Sequence, residues 1–233
     1  MSATALSPLA PPRGVDLWVF ALEQPAAREA RLTANCSARE LERAARMLVP
    51  RRRREFLVGR GAVRSILGAY LGIAPRHVEI AVGPHGKPFV DAPGAPAFNL
   101  SHSGDMAVVA VSAGFDVGID IERVDPALDV MAIARRFLAP DEVAHLASLE
   151  AAARAAAFSR LWTRRQACLK TSGTGFAIGL GEVRTPLPRS AAPTSDGART
   201  IVDIDPAPGY VGALAYDAAP VLVHIRDHAL ACL

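Results

Sequence analysis

Two acids, Asp120 and Glu122, sit inside Val117-Gly118-Ile119-Asp120-Ile121-Glu122-Arg123. Apolar residues alternate with them, which predicts a short β-strand. Both carboxylates then share one face, with Ile119 and Ile121 on the other. Two carboxylates aimed at one spot repel unless a cation lies between them. A hard divalent ion such as Mg2+ suits that place, because it takes oxygen ligands and lets substrate phosphates complete its shell. An exposed strand with two solvated acids would show the same pattern, so the rest of the chain must decide.

Other segments add chemistry suited to phosphate. Phe98-Asn99-Leu100-Ser101-His102-Ser103-Gly104 reads as a strand end running into a polar turn. Ser101, His102 and Ser103 supply consecutive donors there. Lys87 lies between Gly86 and Pro88 in a turn, so its backbone is constrained while its ammonium can reach a ligand; an ordinary loop lysine reads the same way. Gln166 and Lys170 are four residues apart and continue the apolar stripe of Phe158, Leu161, Trp162 and Leu169 on one helix. Either both face a polar site on the sheet side, or the lysine snorkels out and the glutamine bonds backbone. Arg51 to Arg54 form a run with Arg39, Arg43 and Arg46 before it and Arg60 and Arg64 after it. Such a cluster suits a bound anion, and solvated arginines are the alternative. A Ser/His hydrolase is disfavoured, because no G-x-S-x-G elbow is present.

The elements that must hold these groups follow from periodicity. Residues 15–22 read as a buried strand. A helix is expected over 39–47 with Ser37 as N-cap, and a second over 51–71 after Pro50, its arginines on the first turns and outer face. Residues 77–82 form a short strand. Residues 106–112 and 116–122 read as consecutive strands joined by a hairpin at Ala113-Gly114, making an antiparallel sheet with 98–101. Helices follow over 131–138, 141–149 and 151–171, the last stopped by Gly173. Strands are expected at 182–185, 200–204, 210–216 and 221–225, with a loop over 186–198. The order strand, helices, strands occurs twice, so the expected fold is α+β with two similar α/β halves. Residues 1–14 are a disordered lead-in, 15–113 the first half and 114–233 the second.

Composition narrows the function classes. The chain has 233 residues, 51% of them hydrophobic, enough for a substantial core. Its first residues lack a basic-then-apolar leader and no apolar run is long enough for a bilayer, so a cytoplasmic protein is expected. Cys36, Cys168 and Cys232 form no C-x-x-C pair, which suits a reducing compartment and buried or inert thiols. Net charge is only +3 and aromatics are 6% of residues, too few for an obvious stacking platform, so nucleic acid is not an expected partner.

Three motifs in order resemble the Sfp-type 4′-phosphopantetheinyl transferase family. They are Gly86-Lys87-Pro88 with Phe98 to Gly104, then Val117 to Glu122, then Phe158-Ser159-Arg160-Leu161-Trp162-Thr163-Arg164-Arg165-Gln166-Ala167-Cys168-Leu169-Lys170. The resemblance implies a monomer of two similar α/β subdomains with coenzyme A in the cleft. It implies transfer of the phosphopantetheine arm of coenzyme A to a serine of an acyl or peptidyl carrier protein, of fatty-acid, polyketide or nonribosomal peptide type, releasing adenosine 3′,5′-bisphosphate. Asp120 and Glu122 would then hold Mg2+, and Lys170 would neutralise charge on the diphosphate. Ser101, His102 and Lys87 would bind phosphates of coenzyme A, Gly86 and Pro88 would shape the adenine side, and Arg43 and Arg54 would meet the 3′-phosphate.

One position departs from the family. The third acid, a glutamate in W-x-x-x-E-x-x-x-K, is Gln166 here. An amide oxygen can join a metal shell but cannot take a proton from the attacking serine. General-base help is worth roughly 10²–10⁴-fold, so slow turnover is expected unless Glu122, a metal-bound hydroxide or bulk water serves. Natural divergence, an inactivating change and a paralogue that binds without catalysing all fit this position.

Overall fold

The computed structural model describes residues 9–173, 183–186 and 193–227. It has an α+β fold built as four layers, with one long helix on each outer side and two sheets between them. The first sheet has the order β10-β1-β5-β4, from β1 (Val15–Ala21), β4 (Ala97–Ser103), β5 (Met106–Ser112) and β10 (Val223–Asp227). The second has the order β6-β9-β8-β7, from β6 (Val117–Arg123), β7 (Thr194–Ser195), β8 (Thr200–Ile204) and β9 (Tyr210–Tyr216). A separate hairpin pairs β2 (Ile80–Val82) with β3 (Pro88–Val90) across the Gly86 turn.

Side-chain alternation decides the layering. Val15, Leu17 and Val19 of β1 join Val108 and Ala110 of β5 against Val117, Ile119 and Ile121 of β6, so the sheets pack face to face. The intervening residues Trp18 and Phe20 face α3 (Pro50–Leu71), whose Val63, Ile66 and Leu67 cover the outer side of the first sheet. α6 (Ala151–Ser172) covers the outer side of the second through Ala167 and Cys168 against Ile201, Ala213 and Ala215. Both long helices end on a left-handed glycine, Gly72 and Gly173. The antiparallel orders β1-β5-β4 and β6-β9-β8 repeat the same sequence of elements, each with its own 22-residue helix.

Shorter helices complete the outer layers. α1 (Ala26–Ala34), not expected from the sequence, begins after Pro25 with no side-chain cap. α2 (Ala38–Ala45) starts at Ser37 with a full capping box, since Ser37 Oγ accepts from Glu40 N and Glu40 returns to Ser37 N. Glu40 also accepts from Arg60 and Arg64 at 2.6 Å each, tying α2 to α3. α4 (Val130–Phe137) and α5 (Pro140–Ser148) lead into α6. Two buried arginines fix α6: Arg164 grips both oxygens of Asp203 on β8, and Arg165 pairs with Glu142 on α5.

Several expectations are corrected here. No hairpin joins β5 to β6, because β6 leaves the first sheet and pairs with β9, register Asp120 opposite Ala213. Both segments are apolar enough for a buried edge, and local sequence does not say which sheet receives them. The segment 98–104 is a strand running into a turn, as expected, but the strand is longer: β4 runs through Ser103, its serines are used by β6, and the turn is Gly104-Asp105. The strand at 77–82 shrinks to Ile80–Val82 after a 3-10 turn at Pro75–His77. Residues 183–186 are not in a strand, while Glu182 lies outside the described residues. Residues 1–8 of the lead-in, 187–192 of the expected 186–198 loop and Cys232 also lie outside them, and Thr194–Ser195 of that loop form the short strand β7. Cys36 and Cys168 are buried, and burial pushes their thiols up to about 11 and about 12, which makes them inert. No helix among the described residues is long and apolar enough to cross a membrane.

Candidate active site

β4 and β6 are the facing edges of the two sheets, and side chains rather than backbone join them. Asn99 Oδ1 accepts from Ile119 N at 3.0 Å, Ser101 Oγ from Ile121 N at 3.2 Å, and Ser103 Oγ from Arg123 N at 3.1 Å. Residues two apart on β4 thus satisfy alternate N–H groups along the open edge of β6. The two serines also donate to the acids of β6, Ser101 to Asp120 Oδ1 at 2.9 Å and Ser103 to Glu122 Oε2 at 2.7 Å.

Asp120 and Glu122 share the face of β6 that looks toward α6. Gly118, two residues before Asp120, lets that helix come close: a Cβ there would lie 2.2 Å from Ala167 O. The approach brings Lys170 Nζ to 2.6 Å from Asp120 Oδ1, 3.0 Å from Ile119 O and 3.2 Å from Ser101 Oγ. Gln166 lies one turn earlier on the same stripe, about 6 Å along the axis. It is buried, and its amide makes no hydrogen bond among the described residues. Burial raises the proton affinity of both acids. Lys170 opposes this at Asp120; at Glu122 the Ser103 bond opposes it and the Asp120 charge adds to it.

The donor chemistry suits a hard cation. Asp120 Oδ2 and Glu122 Oε1 take no hydrogen bond among the described residues, and the Gln166 amide oxygen is equally free. No group of three His, Cys, Asp or Glu side chains converges among the described residues. Two carboxylates and an amide are an oxygen set that Mg2+ accepts when phosphates and water finish the shell.

The other face of β4 looks into a cavity of about 970 Å³ between α2, α3 and the β2–β3 hairpin. His102 and Leu100 point there, opposite to Ser101 and Ser103, as strand alternation requires. Arg39, Arg43, Arg46, Arg52 and Arg60 line it, with Gly86 and Pro88 across from them. Arg43 also stacks on Phe56, 5.0 Å from the ring centroid.

The sequence-selected residues therefore fall into distinct groups. Asp120, Glu122, Ser101, Lys170 and Gln166 belong with the α6 face of β6. Arg43, Gly86, Pro88 and His102 line the cavity. Ser101 has one proton and two lone pairs, all engaged by Asp120, Ile121 N and Lys170. A phosphate at its hydroxyl would have to displace one of them. Lys87 Nζ is seated on Asp116 Oδ1 at 2.8 Å and on Thr171 O at 2.7 Å, near the C-terminus of α6. Arg54 is exposed and lies outside the cavity lining, two residues round the helix from Arg52. The arginines are thus not all on the outer face, and Arg64 is buried on Glu40. Sequence reasoning named Arg39, Arg46, Arg52 and Arg60 within the cluster suited to an anion but did not single them out as ligands. Their signal was helical spacing: 39, 43 and 46 share one face of α2, and 52, 56 and 60 share one face of α3. Ser103 was noticed only as a phosphate donor.

Comparison with known proteins gives the family. Residues 116–215 match the 4′-phosphopantetheinyl transferase superfamily, and residues 24–114 match the 4′-phosphopantetheinyl transferase N-terminal family. The 4′-phosphopantetheinyl transferase HetI of Nostoc sp. is 41% identical over 166 residues, 70% of each chain. A 4′-phosphopantetheinyl transferase of Bacillus subtilis is 30% identical over 155 residues, 66% of this chain and 68% of the relative. AcpT of Salmonella typhimurium, also named a 4′-phosphopantetheinyl transferase, is 36% identical over 59% of this chain and 67% of its own. The fold and these matches define a transferase. The chain belongs to the 4′-phosphopantetheinyl transferase family.

Proposed function

We propose that the protein transfers the 4′-phosphopantetheine arm of coenzyme A to a serine of an acyl or peptidyl carrier protein, with Mg2+, and releases adenosine 3′,5′-bisphosphate. One observation carries this reading: the two faces of β4 serve two adjoining chemistries. Ser101 and Ser103 hold the carboxylates of β6, while His102 borders the arginine-lined cavity. A diphosphate crossing the edge of β4 would meet cations on one side and oxygen ligands on the other.

Phosphoryl transfer calls for positioning and charge neutralisation more than covalent help. The arginines around Arg43 bind the anionic end of coenzyme A, and Gly86 and Pro88 wall the cavity. Lys87, seated on α6, has one N–H left for a phosphate. Arg54 and Ser101 join the set by family resemblance. Asp120 and Glu122, with the Gln166 amide oxygen, would hold Mg2+, which supplies charge stabilisation at the diphosphate. Lys170 lies within reach of the same charge. The carrier serine oxygen forms a bond to the β-phosphorus, and the bond from that phosphorus to the adenosine-bearing phosphate breaks. Glu122 takes the serine proton, since Gln166 cannot.

The two halves, 15–113 and 114–233, follow the repeated strand order, although β10 of the second completes the sheet of the first. The reading takes the enzyme as a cytoplasmic monomer. The test is the mass of an apo carrier domain incubated with coenzyme A, Mg2+ and the protein. A gain of one phosphopantetheine supports transfer; no gain after long incubation with several carriers sinks it. Gln166→Glu should raise the rate by about 10²-fold or more if the missing base limits turnover. Gln166 also favours a second reading, a paralogue that binds coenzyme A without transfer. Tight coenzyme A binding by calorimetry, with no single-turnover product, would select it.

A further inference from the structure

We infer that Ser103 is a positioning residue for Glu122 and that the S-x-S pair of β4, Ser101 and Ser103, sets the geometry of the carboxylate pair. This rests on the metal reading under Proposed function. Ser101 and Ser103 make the same two-bond motif, one register step apart. Each accepts a β6 N–H, from Ile121 or Arg123, and each donates to the acid just before it, Asp120 or Glu122. Asn99 continues the ladder to Ile119 N but touches no acid.

The motif has a geometric consequence. A serine that takes a backbone N–H from β6 has its oxygen fixed relative to that strand, so its single proton fixes one carboxylate oxygen. The other oxygen takes no hydrogen bond among the described residues. Asp120 is held additionally by Lys170. Glu122 accepts only the Ser103 bond among the described residues and is half-buried, so its rotamer depends on Ser103 far more than that of Asp120 depends on Ser101. Gln166 brings no charge to replace it. Ser103 therefore controls whether the second carboxylate is presented beside the first. The Arg123 N–H that it satisfies is at an exposed position, where water can replace it, so removal of the hydroxyl costs the fold little.

The test measures metal binding directly. Mn2+ is titrated into the protein with coenzyme A present, and free Mn2+ is followed by its paramagnetic resonance signal. Partners that orient metal ligands typically cost 10–100-fold in affinity when removed. Ser103→Ala is expected to bind Mn2+ about 10–100-fold more weakly, with little change in melting temperature, and Ser103→Thr to restore binding to within about threefold. Asn99→Ala breaks the ladder without touching an acid, and should lower the melting temperature while leaving Mn2+ affinity near the unaltered value. Should Ser103→Ala fail to fold, Ser103→Cys keeps the shape with only a weak donor and is read in the same way. Equal Mn2+ affinity in Ser103→Ala and the unaltered protein overturns the inference alone. Absence of Mn2+ binding by the unaltered protein overturns the metal reading beneath it as well.

Discussion

Gly118→Ala tests whether the close approach of α6 to β6 builds the site. The added methyl would lie 2.2 Å from Ala167 O, 2.5 Å from Thr171 N and 2.6 Å from Thr171 Oγ1. Two of these neighbours are backbone atoms within a helix, so no flexible side chain can swing away. Ordinary contact requires roughly 3.5 Å, and the helix must therefore retreat by roughly 1 Å. Overpacking of this kind costs about 1–3 kcal/mol, which for a chain of this size lowers the melting temperature by about 3–10 °C. The same retreat lengthens the contact of Lys170 Nζ with Asp120 Oδ1 from 2.6 Å. A misplacement of about 1 Å can cost on the order of 10²-fold in rate. The assay is thermal unfolding by circular dichroism, with single-turnover formation of holo-carrier well below both melting temperatures. A Gly118→Ala protein melting within 1 °C and reacting within about twofold of the unaltered one would refute the reasoning.

Glycines inside α3 should behave oppositely. Gly59→Ala meets nothing closer than Leu22 Cδ2 at 3.9 Å and should stabilise by about 0.5–1 kcal/mol, whereas Gly61→Ala meets Leu32 O of α1 at 2.1 Å and should lower the melting temperature. Glu40 titrates below the ordinary carboxylate value, because the Ser37 N–H bond together with Arg60 and Arg64 outweighs its burial. Its contribution is therefore complete above about pH 4.3 and is lost as pH falls through the depressed value; urea unfolding from pH 6 to 3 should show that loss in the unaltered protein and a flatter profile in Glu40→Gln. Lys87→Met removes the ammonium from Thr171 O and Asp116, and amides in the last turn of α6 should exchange faster with solvent, by about three- to tenfold for a loss near 1 kcal/mol.

Much of the site was legible because it depends on local period. The alternation at Asp120 and Glu122 placed both acids on one strand face, and the spacing of Gln166 and Lys170 placed both on one helix face; the structure keeps both relations. Ser37 announced its helix, with Glu40 returning the bond. Sheet membership was not legible. Nothing in residues 113–123 says that β6 abandons its sequence neighbour β5 for β9. The bonds of Ser101 and Ser103 to β6 were not legible, because their partners are backbone amides on another sheet, invisible to any window of sequence. α1 was missed because it has no capping side chain and depends on packing against α3. Arg54 came from resemblance alone, while the helical phase that turns Arg52 into the cavity was available and unused.

The pairing of β10 with β1 has a consequence for how the chain is made. The two strands lie parallel, with Val15 opposite Val223, so the first described strand must wait for the last described one. Until then a ribosome-bound chain presents the outer edge of β1 unpaired, a template to which any other extended chain can add. Pairing so distant in sequence is also intrinsically slow. The first half can collapse around α3 early, but its sheet gains this edge only once residues 223–227 have been made. Chaperone dependence during expression, and aggregation of chains ending before residue 223, are the expected cost of that order of assembly.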